Sequence, residues 1–267
     1  MPYRHRLSPS QTVSIAQLET DGKDLHDDRK QAEQEFHELR ERLIELQYRL
    51  YAEGRRKLLV VLQAMDAGGK DGTIRHVFKG VNPQGVRVTA FKAPTPAELA
   101  HDFLWRVHQA TPASGTIGVF NRSHYEDVLV VRVEQLVPES VWQTRYERIN
   151  QFERLLFESG TTILKFFLHI SKSEQKSRFE QRLKEPGKRW KFSIEDLNKR
   201  KDWDAYMTAY EDVLNRCTTE YAPWHVIPCD QKWYRNLAIT RTLVATLEEM
   251  DLQYPPEPSG LDELKVE

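Results

Sequence analysis

Cysteine is almost missing from this chain: Cys217 and Cys229 are the only two among 267 residues, and their spacing matches no zinc ligand set. A disulfide framework is thereby excluded, and a reduced, cytoplasmic protein is the expectation. No stretch approaches the roughly 20 apolar residues of a membrane-spanning helix or the layout of a signal peptide, so no membrane partner is expected. Internal repeats and low-complexity tracts are missing too. Net charge is nearly absent as well, at −1, but that total hides a segregation. Residues 172 to 201 hold 11 Lys or Arg against 5 Asp or Glu, whereas 248 to 267 hold 7 acids and one lysine. The middle segment is therefore expected to meet something anionic.

What is present is enough apolar material for a core, at 39%, beside an unusually charged 30%. Residues 1–25 lack apolar periodicity and read as an extended arm on the surface. From about Asp27 to Glu53, Phe36, Leu39, Leu43, Leu46 and Leu50 recur at helical spacing up to Gly54, so 1–54 is read as an arm plus an amphipathic helix beside the first strand. Strands are predicted at Leu58–Leu62, Val86–Phe91, Thr116–Phe120, Thr162–Ile170 and Trp224–Ile227, separated by helical patterns that include 96–110 and 231–250. That alternation specifies an α/β fold with a parallel sheet covered on both faces. The catalytic domain is expected over 55–252, and 253–267 reads as a loose acidic tail.

The segment 58–73 joins a buried strand to a turn rich in small residues, the way an α/β protein aims backbone N–H groups at an anion. Gly68, Gly69 and Gly72 let the backbone close on phosphate oxygens, and Lys70 supplies a point charge. With Ala67, Asp71 and Thr73 these residues form the expected phosphate cradle. The turn departs from the P-loop pattern G-x-x-x-x-G-K-[ST]: Ala64 stands at the first glycine and Asp71 where Ser or Thr would follow the lysine. A bare strand-to-helix connection would explain the glycines but not Asp66. A carboxylate inside an anion cradle repels phosphate unless it binds a metal, and magnesium, with manganese as a substitute, makes it intelligible.

A second cluster, Asn121 to Asp127, follows the third strand. Arg122 suits a bidentate grip on phosphoryl oxygens, and Glu126 or Asp127 could complete a metal site with Asp66. Ser123 and Glu126 also read as a capping box. The third cluster is basic: Lys176, Arg178, Arg182, Lys184, Lys188, Arg189 and Lys191, with Arg178 and Arg182 on one helix face. Its place between the fourth strand and a late helix is where P-loop kinases carry a closing lid. Lys92 after the second strand, with Arg75 and Lys79 on the helix after the glycine turn, could extend a positive channel.

Together, Ala64 to Gly72, Phe120 to Asp127 and Lys188-Arg189-Trp190-Lys191-Phe192 resemble the polyphosphate kinase 2 family, in the family's order, with Tyr221-Ala222-Pro223-Trp224 and Lys232-Trp233-Tyr234-Arg235 in agreement. The resemblance spans about Leu50 to Leu252. It implies a P-loop kinase-like three-layer α/β/α fold on a five-stranded parallel sheet, with a helical lid at about 172–201, and magnesium-dependent transfer between inorganic polyphosphate and nucleotides. Asp66 and Lys70 would be the Walker A acid and lysine, Arg122 the arginine of the second motif, and Arg178 and Arg182 lid cations. Phe120-Asn121-Arg122-Ser123 with Glu126 resembles the subgroup that phosphorylates both AMP and ADP, which points to Asn121, Arg122 and Glu126 near the nucleotide. The family's habit, with the apolar face of the first helix, implies a homodimer or homotetramer.

A polyanionic donor needs a cationic track to the metal site, which 172–201 offers, with Lys92, Lys188, Arg189 and Lys191 along it. In-line transfer requires charge neutralisation more than covalent chemistry. An ATP-dependent nucleoside or nucleotide kinase is the alternative, opposed by the missing Ser or Thr after Lys70. A nucleic-acid-binding module would need no magnesium, so nucleic acid is not an expected partner.

Overall fold

The computed structural model describes residues 1–260, apart from the side chain of Lys191; that side chain and residues 261–267 of the acidic tail lie outside the described residues. Five strands, β1 (Lys57–Gln63), β2 (Val86–Ala90), β3 (Ile117–Asn121), β4 (Thr161–His169) and β5 (Trp224–Pro228), form one parallel sheet in the order β2-β3-β1-β4-β5. Each lies where the sequence pattern put it. β1, β3, β4 and β5 are buried almost throughout, as strands covered on both faces must be.

The helices are α1 (Arg29–Glu53), α2 (Lys70–Val77), α3 (Pro96–Leu99), α4 (Trp105–His108), α5 (Val130–Val133), α6 (Glu139–Glu158), α7 (Lys172–Lys184), α8 (Ile194–Lys201), α9 (Trp203–Arg216) and α10 (Lys232–Glu249). α1 starts where the Asp28 carboxylate accepts from the Lys30 and Gln31 N–H groups, and it stops at Gly54, whose φ of 67° is left-handed. It packs chiefly along α10, with the Arg241–Glu35 and Arg42–Glu248 ion pairs at the seam, rather than beside β1. α5, α6 and α9 make a second helical layer, so the sheet lies between two.

Besides the packing of α1, three expectations differ from the structure. The arm of residues 1–25 is not simply a surface strip: Leu7, Val13 and Ile15 are buried, and the Leu7 N–H donates to the Trp224 carbonyl at 2.8 Å. β5 is an edge strand, and the arm satisfies backbone groups that would otherwise face water. The helix expected over 96–110 is two short helices, because the Asp102 carboxylate accepts from the Leu104 N–H at 2.9 Å and starts a new turn. The lid contains α8, started where Ser193 Oγ accepts from the Glu195 N–H, which the pattern did not reveal.

β1 has β3 on one side and β4 on the other, so the chain reverses its direction of sheet growth there. Loops leaving the carboxyl ends of β1 and β3 therefore face one crevice, the usual ligand position in such sheets.

Candidate active site

The loop after β1 is shaped by two left-handed residues, Ala67 at φ 61° and Gly69 at φ 108°. A Cβ on Gly68 would sit 2.5 Å from the Ala64 Cβ, and one on Gly69 would sit 2.2 Å from an Arg235 nitrogen. Space therefore requires the glycine at 68, and left-handed conformation favours it at 69. Lys70 begins α2 with its ammonium folded back, 2.7 Å from the Ala64 carbonyl. Burial, helped by the Arg122 charge, lowers its pKa to about 8.

Arg122, the first residue past β3, has a φ of 63° and turns its guanidinium toward β1. It donates to the Asp66 carboxylate at 2.6 Å and lies 3.6 Å from Glu126. Burial alone would raise the pKa of Asp66, but Lys70 and Arg122 outweigh it and hold the group below the usual carboxylate range. Asp66, Arg122 and Glu126 share a void of about 20 Å³ with Lys199, Tyr206 and Tyr210. That is room for about one water-sized species. Two carboxylates, one held ionised, fit a magnesium ion, which keeps several waters and takes one or two carboxylates plus phosphate oxygens. Among the described residues no group of three or more His, Cys, Asp or Glu could hold a metal alone.

Below this site Tyr125 and His124 plug the loop into the core. The Tyr125 hydroxyl donates to Glu153 at 2.7 Å, the His124 ring lies 3.1 Å from the same oxygen, and Lys165 of β4 pairs with Glu153 at 2.6 Å. Ser123 is the N-cap expected of it, accepting from the Tyr125 N–H. Glu126 does not close the capping box, because its carboxylate faces Arg122 instead.

Two larger cavities flank the glycine loop. One, of about 620 Å³, is lined by Asp66 to Gly72, Phe91, Lys92, Asn121, Arg122 and the lid residues Arg182, Lys188, Trp190, Asp196 and Lys199. The other, of about 430 Å³, is lined by Ala67, Gly69, Gly72, Arg29, Arg75, Arg178, Arg182, Lys188, Lys232 and Arg235, with Glu33 the one acid among its lining residues. Arg182 and Lys188 of the lid border both.

Several expected residues lie elsewhere. Asp127 turns away from Asp66 and pairs with Arg145 at 2.9 Å; it is not beside the other carboxylates, and burial, against the pull of Arg145, pushes its pKa up to about 6. Arg178 is not a free lid cation: buried, it donates to the Ala67, Gly68, Cys229 and Asp230 carbonyls and pairs with Glu174. Thr73 is fully buried in α2 and lines neither cavity. Lys79 lies beyond the far end of α2, outside both, and Arg189 is exposed with its Nε on the Leu183 carbonyl. Asn121 donates to Asp71 at 2.8 Å, tying β3 to the first turn of α2. Sequence reasoning missed Lys199 and Asp196, on the unforeseen α8, and Gln175. Gln175, Arg178 and Arg182 stand at spacing i, i+3, i+7, a helical stripe that could have flagged the first of them.

A parallel sheet with an anion-cradling loop at its reversal point, an arginine facing an aspartate across it, and a basic helical lid define a P-loop kinase-like phosphotransferase. The model of the family Polyphosphate kinase 2 (PPK2) matches residues 26–255, and the chain belongs to that family. It is 54% identical over 265 residues, 99% of each chain, to the AMP/ADP-polyphosphate phosphotransferase of Meiothermus ruber. Over 84% of this chain and 83% of the other, it is 46% identical to the ADP-polyphosphate phosphotransferase of Rhodopseudomonas palustris. The crystal structure of polyphosphate kinase 2 from Arthrobacter aurescens TC1 superposes with a TM-score of 0.93 at 41% identity, covering 98% of this chain and 94% of that one.

Proposed function

We propose that this chain transfers the terminal phosphoryl group of inorganic polyphosphate to AMP and to ADP, and runs the reverse reactions, with magnesium. The observation that carries this reading is the pair of cavities meeting at one glycine loop. In the smaller, every charged side chain but Glu33 is an arginine or lysine, set among Phe36, Trp233 and uncharged residues, and that excess of positive charge suits a polymer of phosphates. The larger mixes acids, cations and the aromatic Trp190 and Phe91, which suits a nucleotide whose phosphate end reaches Arg122 and whose base needs an apolar surface.

On this reading Asp66 and Glu126 hold the divalent ion, which, when bound, neutralises charge on the transferring phosphoryl group and its neighbours. Backbone N–H groups of Gly69 to Gly72 and the Lys70 ammonium cradle phosphate oxygens, the Gly68 N–H being held by the Met65 carbonyl. Lys70 must release the Ala64 carbonyl to do so. Arg122 grips the moving group, while Arg182 and Lys188, which border both cavities, close over it from the lid and exclude water. Tyr48 and Tyr51, exposed on α1, support association with further copies of the chain as a dimer or tetramer.

The test supplies AMP, magnesium and long-chain polyphosphate without ATP and follows products by phosphorus NMR. ADP appearing first and ATP second is the expected result. Formation of ADP only when ATP is added would overturn the donor.

A further inference from the structure

A loop that points its N–H groups at an anion must send its carbonyls somewhere else, and buried carbonyls need donors. Here three successive carbonyls of the loop are taken by side chains of one helix, α7. Gln175 Nε2 donates to the Asp66 carbonyl at 2.8 Å, and Arg178 donates to Ala67 at 3.1 Å and Gly68 at 3.2 Å. Gln175 is fully buried. Its oxygen accepts from Arg200 of α8 at 2.7 Å, and the same Arg200 nitrogen donates to the Lys172 carbonyl at 2.7 Å. The far limb of the lid is thus joined to the backbone of Asp66 through a single amide.

We infer that Gln175 is a positioning residue for phosphoryl transfer, and that the Arg200–Gln175–Asp66 chain transmits the placement of the lid to the carboxylate beside Arg122. The side-chain chemistry fits the task. A terminal amide donates and accepts at once without charge; a glutamate would set an anion against the Asp66 carbonyl, and a methionine of similar length would leave both neighbours unserved. The relay rests on the reading of Asp66 as part of the transfer site, and it adds residues with no contact to substrate.

The experiment is a double-mutant cycle of Gln175→Met and Arg200→Met in the full chain, reading kcat, KM for AMP, thermal unfolding, and Mn²⁺ affinity by electron paramagnetic resonance. Gln175→Met is expected to lower kcat by about tenfold to a hundredfold, the scale of a small displacement of a reacting group. KM for AMP should stay within about twofold, which separates positioning from binding. Arg200→Met should lower kcat less, and the double variant should match Gln175→Met alone, because both residues act through one bond to Asp66. Fold-losses that multiply, or a Gln175→Met enzyme with the parent kcat, would overturn the relay. If Gln175→Met fails to fold, Arg200→Met decides, since Arg200 is only half-buried: unchanged kcat in that variant overturns the proposal. Should the parent enzyme form no ADP from polyphosphate, the donor assignment fails instead. The relay is then read from Mn²⁺ binding, which both variants must weaken for it to stand.

Discussion

The guanidinium of Arg122 lies 2.6 Å from the carboxylate of Asp66, so in the free protein the cation of one motif neutralises the acid of the other. A divalent ion held by Asp66 as proposed would compete with Arg122 for the same oxygens. Were the ion bound there, the guanidinium would be released toward the phosphoryl group, one cation on the acid giving way to another.

Arg122→Lys follows directly from this competition. Lysine keeps the charge but loses the planar fork. Turnover should fall by about 10² to 10³, the range for removing one donor to developing charge. Mn²⁺ binding to the nucleotide-free enzyme should become tighter, because the competing guanidinium is gone. Weaker Mn²⁺ binding in the variant, measured by titration under electron paramagnetic resonance, would show that Arg122 supports the metal site rather than contests it.

The neighbouring acids Glu126 and Asp127 separate by environment. Glu126 shares the void with Asp66, whereas Asp127 is locked to Arg145. Glu126→Gln should raise the magnesium concentration for half-maximal activity by about tenfold or more, on the scale of a lost charged interaction. Asp127→Asn should leave that concentration unchanged and lower stability by about 1–3 kcal/mol, since Arg145 loses its charged acceptor. Denaturant unfolding and magnesium titration of the two variants distinguish them; a shifted magnesium requirement in Asp127→Asn would restore it as a ligand.

How much of this was legible beforehand varies with the range of the forces involved. The five strands could be read because buried parallel strands write continuous apolar runs, and Asp66, Lys70 and Arg122 because a charge at a strand mouth is costly without purpose. Adjacent positions such as Glu126 and Asp127 could not be ranked, since a turn of short 3₁₀ helix decides which carboxylate faces β1. Arg178 looked like a lid cation because its spacing to Arg182 is helical; that it spends its donors on backbone carbonyls depends on where α7 docks, which no local pattern encodes. Lys199 went unseen for a related reason: α8 is a short helix of mean polar character whose placement over the cleft is tertiary.

Lys70 gives the pH dependence. Its pKa in the free enzyme is lowered to about 8, first by burial and then by Arg122. Above that pH the ammonium loses its proton and the cradle loses a positive charge, so kcat/KM for polyphosphate should fall along a basic limb near pH 8. That ratio reports groups of the free enzyme, whereas kcat reports the bound complex, in which phosphate charge favours the protonated lysine. The kcat limb is therefore expected at higher pH. Lys70→Arg should remove the limb from kcat/KM over the same range, because arginine stays charged. A limb persisting unchanged in Lys70→Arg would assign it to another group.

The most stringent test of the scaffold concerns Lys165 and Glu153, both without exposed side chain and 2.6 Å apart under the Arg122 loop. The pair is tied to that loop through Tyr125, whose hydroxyl donates to Glu153 and accepts from Lys165 at 2.8 Å. Removing one partner leaves a buried charge unpaired, so Lys165→Met should destabilise by about 3–5 kcal/mol. Replacing both, Lys165→Met with Glu153→Gln, removes the two charges together and should recover much of that stability, since the penalty arises from the unpaired ion. Activity should not recover in step, because Tyr125 keeps only neutral partners and the turn carrying Arg122 and Glu126 loses its strongest anchor. Chemical denaturation alongside kcat for the single and double variants checks this: stability and kcat returning together would mean that the pair serves the fold alone.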